Sequence, residues 1–155
     1  MHRSTRTVPL LIAAAAFGTG SLPAQSAAPE RVNACSLLPP AEVKKHLPWA
    51  PLFDKMPPEE TAIGADGSSC EYASVGIQVL PATSGIIESA KKRGKLEAVS
   101  GIGSEAHFYV NPNGYAELYV KTSKHILTLQ ADSKRGVDAV KPGVLSLAKA
   151  LVGKL

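Results

Sequence analysis

Long apolar runs, catalytic signatures and spare cysteines are all missing from this chain of 155 residues, and each absence excludes something. The apolar run Val8–Phe17 (VPLLIAAAAF) has ten residues, against about 20 for a helix that spans a bilayer. No G-x-S-x-G, H-E-x-x-H, Walker A or paired C-x-x-C occurs, so the corresponding hydrolase, metalloprotease, nucleotide and dithiol sites have no anchor. Ser100-Gly101-Ile102-Gly103-Ser104 is glycine-rich but lacks the G-x-G-x-x-G spacing and the preceding strand of a dinucleotide site. His46, His107 and His125 stand far apart without ligand spacing, which argues against zinc. Neither a cofactor nor a metal is expected.

What is present begins with an export signal. Met1–Thr7 carries Arg3 and Arg6 and no acid, the apolar run follows, and small residues follow that. This is the three-part pattern of a secretory signal peptide over residues 1–28, with cleavage after Ala24, Ser26 or, in the favoured reading, Ala28. An uncleaved membrane anchor is the alternative. Removing residues 1–28 takes two arginines from 17 basic residues and nothing from 13 acidic ones. Residues 29–155 are therefore near neutral, at about +2, and the high whole-chain pI is a weak argument for nucleic acid. About 127 residues suffice for one domain with an ordinary core. The expectation is a periplasmic or secreted monomer with no membrane span after processing.

Cys35 and Cys70 are the two cysteines. An even pair in an exported domain most simply forms one disulfide. Lipidation of Cys35 is the rival, but Asn33 suits it poorly and the apolar run ends well upstream.

The strongest local pattern is Tyr115–Asp132, YAELYVKTSKHILTLQAD, which reads as a β-hairpin turning at Ser123-Lys124. Side chains alternate along a strand, so Ala116, Leu118, Val120, Leu127, Leu129 and Ala131 share a core face. A preceding strand, Glu105–Val110, joins through Asn111-Pro112-Asn113-Gly114. A three-residue loop with left-handed Gly114 sets Phe108 against Leu118, Val110 against Ala116 and Ala106 against Val120. The opposite face then carries Tyr109, Tyr115, Tyr119, Lys121, His107, Glu117, Ile126, Thr128 and Gln130, and is expected to be wet.

Other elements are less marked. A short helix opens at Cys35–Val43, with Pro40 in its first turn, Leu38, Val43 and Leu47 on one face, and Pro48 as its stop. Trp49–Ser69 reads as a long irregular loop, with Trp49, Leu52, Phe53 and Met56 packed over a core edge. Cys70–Ala73 and Val75–Leu80 read as strands. Ser84 is placed to cap a helix over Gly85–Arg93 that Gly94 ends, and the basic cluster at its C-terminal end suits the helix dipole. Asp138–Leu155 closes the chain as a helix starting near Pro142, with Val144, Leu147, Ala148 and Leu151 as its stripe. The sum is an α+β fold: an antiparallel sheet of about five strands, helices on one face, in the order α-β-β-α-β-β-β-α.

CSLLPPAEV at Cys35–Val43, then Ser69-Cys70-Glu71-Tyr72, then Val99–Ala106 (VSGIGSEA) resembles small exported bacterial domains of unknown function, common among actinobacterial lipoproteins. Those domains carry C-S-L-L-T-x-x-E-V, a later C-x-Y, and V-x-G-x-G-D-x-A before a strand. Pro39 replaces the usual capping threonine and Ser104 the usual aspartate. The lipid-anchored members have a further upstream cysteine that this chain lacks. The resemblance implies export, the disulfide and the α+β fold, and brings no active-site residues.

Functionally, the tyrosines stand out. Tyrosine offers apolar area with a polar tip at low entropic cost, so Tyr109, Tyr115 and Tyr119 with His107, Glu117 and Gln130 form the candidate binding surface. The expected function is a binding module for a protein or another envelope component. The alternative is a small periplasmic hydrolase joining His107 to Glu117, or an inhibitor of an envelope hydrolase acting through Trp49–Ser69; a third possibility is a purely structural role.

Overall fold

A computed structural model describes residues 31–51 and 58–155. The expected signal peptide and the Leu52, Phe53 and Met56 positions lie outside the described residues. The elements run α1 (Ala34–Leu37), α2 (Pro40–His46), β1 (Glu59–Ile63), β2 (Gly67–Glu71), β3 (Val75–Pro81), α3 (Ile86–Arg93), β4 (Glu97–Val99), β5 (Glu105–Val110), β6 (Tyr115–Lys121), β7 (His125–Asp132) and α4 (Val137–Val152). The seven strands form one sheet in the order β1-β2-β3-β7-β6-β5-β4, antiparallel throughout. The α+β class and the antiparallel sheet are as the sequence implies. The strand count and the helix order are not.

The centre of the sheet follows the alternation. Phe108 pairs with Leu118, Val110 with Ala116 and Ala106 with Val120, while Val120 pairs with Leu127, Leu118 with Leu129 and Ala116 with Ala131. Gly114 takes a φ of 79°, and Asn111 N–H bonds Tyr115 C=O at 2.9 Å, which closes the three-residue loop. At the other turn the Thr122 hydroxyl accepts from His125 N–H at 2.9 Å.

His125 gives a pH prediction. Burial, and secondarily the charge of Lys124, lowers its pKa from the ordinary 6.5. A base with a depressed folded pKa binds fewer protons folded than unfolded, so its destabilising effect sets in as pH falls through 6.5. His125→Gln should lose less thermal stability than wild type between about pH 7 and 5, read as the difference between the two melting curves.

The main core lies between this apolar face and α1, α2 and α4. Leu38, Val43 and Leu47 meet Val140, Val144, Leu147 and Leu151 over the sheet. Trp49 packs on its edge, with the Arg135 guanidinium 5.9 Å from the ring centre. Leu38-Pro39-Pro40 splits the expected first helix in two, because a residue before proline is pushed out of helical geometry. α4 starts one turn earlier than expected because fully buried Val140 anchors that turn, leaving Pro142 inside the helix. At Gly143 a side chain would stand 2.6 Å from His46 C=O, so glycine lets α4 approach α2.

Three expectations need correction. Half of the supposed loop Trp49–Ser69 is a hairpin, β1–β2. β2 is Gly-Ser-Ser-Cys-Glu and shows no apolar alternation, so its cohesion comes from elsewhere. Buried Ser68 accepts from Ala34 N–H at 3.1 Å and donates to Val32 C=O at 2.5 Å. The Cys35–Cys70 disulfide fixes α1 to the same strand. Second, Glu97–Val99 adds an edge strand, which Lys141 of α4 clamps through Glu97 at 2.5 and 2.6 Å. Third, α3 does not join the other helices. Its Ile87 and Ala90 pack on Tyr119 and Ile126, the face of the sheet opposite the main core. Ser84 does not cap it: the N-cap is Gly85 at φ 68°, without a side-chain bond. Gly94 ends α3 in extended backbone, and a side chain there would lie 2.8 Å from the Tyr109 ring.

Candidate functional site

The second face of the sheet can be read as rungs, since residues paired across antiparallel strands project to the same side. One rung runs Glu71, Gly76, Gln130, Glu117, Tyr109 across β2, β3, β7, β6 and β5. The next runs Ser69, Gln78, Thr128, Tyr119, His107. α3 roofs part of this face, so the surface expected to be wet is divided. Tyr119 is 1% exposed and Ile126 is 2% exposed, beneath the helix. Glu117 is also buried. Tyr109 and His107 are half-buried near the roof, Tyr115 is half-buried beyond it, and Gln130 is open.

A polar network ties the roof to the sheet. Arg93, the last residue of α3, donates from Nη2 to Tyr119 Oη at 2.5 Å and lies 3.6 Å from Glu117 Oε2. Tyr119 in turn donates its hydroxyl to Glu117 Oε2. The other carboxylate oxygen accepts from Asn111 Nδ2 at 2.6 Å. Asn111 is itself fixed, because its Oδ1 accepts from Asn113 N–H at 2.9 Å and Tyr115 N–H at 3.1 Å. Burial, with the bond to Glu117 second, pushes the Tyr119 phenol well above its ordinary value. Tyr119 therefore stays a protonated donor at neutral pH and is no general base.

His107 and Glu117 are not brought together as an acid–base pair. His107 Nε2 bonds Glu105 Oε1 at 2.7 Å, and Glu117 is committed to Tyr119, Asn111 and Arg93. The bond from His107, with Lys91 at 3.2 Å, holds the Glu105 carboxyl below its usual range. Among the described residues no three His, Cys, Asp or Glu side chains are grouped as a metal site.

Beside α3 the rungs open into a cleft of about 220 Å³. Its floor is Gly76, the one rung position without a side chain, between Glu71 and Gln130. Gln78 and Thr128 continue the floor, and Ile86 and Arg93 supply the roof. An adjoining hollow of about 130 Å³ shares Glu71, Gly76 and Gln130 and is bounded by Tyr72, Ser74 and Tyr115. Thr128 lines this site, and its Oγ1 is buried with no hydrogen-bond partner among the described residues.

The expected surface and the cleft overlap at Glu117, Tyr119 and Gln130. Tyr115 reaches the adjoining hollow, whereas Tyr109 and His107 line neither. Sequence reasoning missed Glu71, Gly76, Gln78 and Arg93. Arg93 looked like one of several surface cations satisfying a helix dipole. The others become neighbours only once β3 is placed beside β7, a pairing between distant segments.

No protein-family model, curated protein or solved structure matches this chain.

Proposed function

We propose that the chain is an exported binding domain whose ligand site is the polar cleft between α3 and the second face of the sheet. The observation that carries this is the cleft itself: a side-chain gap at Gly76, ringed by the polar groups of Glu71, Gln78, Gln130 and Arg93. A concave site with a few convergent polar groups is the usual form of a small-ligand pocket. Export is supported by the basic, apolar and small-residue pattern of residues 1–28 and by the Cys35–Cys70 disulfide. Among the described residues no helix is long and apolar enough to cross a membrane. The likeness to small exported bacterial domains agrees with the same setting. The ligand is then a component of the envelope or its surroundings.

Native mass spectrometry of the mature protein, purified gently from its own host's envelope fraction, tests this. The wild type should carry added mass, and Gly76→Leu, which fills the floor, should carry none while keeping the wild-type circular dichroism. A strand tolerates the larger residue, and the nearest obstruction to a new Cβ is the flexible Glu71 side chain at 3.2 Å. Equal added mass on both proteins would place the ligand elsewhere.

A further inference from the structure

We propose that the guest of this cleft carries a protonated primary amine, anchored by Glu71. This rests on the cleft being a ligand site and adds the chemistry that the site selects.

The charges decide it. Among the described residues, Glu71, Glu117 and Arg93 are the acidic and basic side chains that line the cleft, two acidic and one basic. Arg93 faces Glu117 and Tyr119 through its Nη2. Glu71 has no ion pair or side-chain hydrogen bond among the described residues, and it sits directly across from Gly76 at the edge of the floor. A cation entering over Gly76 meets this free carboxylate and leaves the Arg93–Tyr119–Glu117 network untouched. An anion would instead compete for Arg93. It would also bring a second negative charge beside Glu117, whose side chain is only 9% exposed, where like charges repel.

The hydrogen-bonding groups agree. An ammonium has three donors and no acceptor, so its site must supply acceptors. Glu71 offers a carboxylate, and Gln78 and Gln130 offer amide oxygens. The side chains of Gln78 and Gln130 make no hydrogen bond to a described residue, so both amides are available. Ile86 offers an apolar surface for the methylenes behind the charge. At about 220 Å³ the space is below the roughly 300–1,000 Å³ of sites for drug-sized molecules, which favours a slender aminoalkyl guest.

The test is an NMR titration of the mature protein with 1,5-diaminopentane, and separately with succinate and glucose. The diamine should shift the backbone amides of Gly76, Thr128 and Gln130, and Glu71→Gln should weaken its binding about tenfold or more, as for loss of a charge-assisted bond. Diamine binding that Glu71→Gln leaves unchanged would overturn the role of Glu71. If succinate or glucose moved these amides and the diamine did not, the amine class would be wrong and the cleft would stand. If no probe moved them, both the class and the cleft as a small-ligand site would fall.

Discussion

Removing the disulfide, by Cys35→Ala with Cys70→Ala, should lower the unfolding free energy by about 4 kcal/mol. The bridge closes a loop with a sequence separation of 35, and the chain-entropy model assigns a loop of that length about 4 kcal/mol. Typical domains have a total of about 5–15 kcal/mol, so this is a large share. The position of the bridge adds a second expectation. β2 contributes Cys70 as its one buried apolar side chain, and it holds both the edge strand β1 and α1. Without the bridge, those elements depend on Ser68, the strand ladders and the packing of Ala34 and Leu37 in the core. Amide hydrogen exchange should therefore accelerate first in α1, β1 and β2, while β5, β6 and β7 keep their protection. Urea unfolding of the double variant against wild type measures the total. A loss below about 1 kcal/mol would mean that the bridge constrains little.

Tyr119→Ala should destabilise by about 3–4 kcal/mol, comparable to deleting a buried aromatic from a core. Strand alternation alone puts Tyr119 on the solvent side, where truncation would cost less than about 1 kcal/mol. The structure places it under Ile87 and Ala90, 1% exposed, with its hydroxyl between Arg93 and Glu117. Tyr119→Phe separates the two contributions. It keeps the ring and removes one hydrogen-bond donor from a buried carboxylate, at an expected cost of about 1–2 kcal/mol. Tyr115→Ala is the control: Tyr115 is half-buried outside the roof, and its loss should cost about 1 kcal/mol. Equal effects at Tyr115 and Tyr119 would contradict the position of α3.

What the sequence could and could not show follows from the range of the forces involved. The β5–β6–β7 register was legible because each strand alternates strictly and each turn admits one register that keeps apolar partners together. The disulfide was legible from count and compartment. β2 was not, because a Gly-Ser-Ser-Cys strand has no hydrophobic period and is held by Ser68 and the bridge. The side on which α3 packs was open for a different reason. Its stripe of Ile86, Ile87 and Ala90 fixes a buried face but not which side of the sheet covers it. One clue lay in the sequence: Ile126 sits on the face expected to be wet, and a large apolar residue there asks for a cover. The cleft needed the β3–β7 pairing, which joins Val75–Pro81 to His125–Asp132 with no local signal between them.

Hydroxyl-radical footprinting of the mature protein, read by mass spectrometry at each tyrosine, tests most directly whether α3 roofs the second face and so makes a cleft of it. Tyr119 should be the slowest of the four tyrosines to be oxidised, with Tyr72, Tyr109 and Tyr115 faster. Oxidation of Tyr119 as fast as Tyr115 would mean an open tyrosine face, with no roof and no cleft.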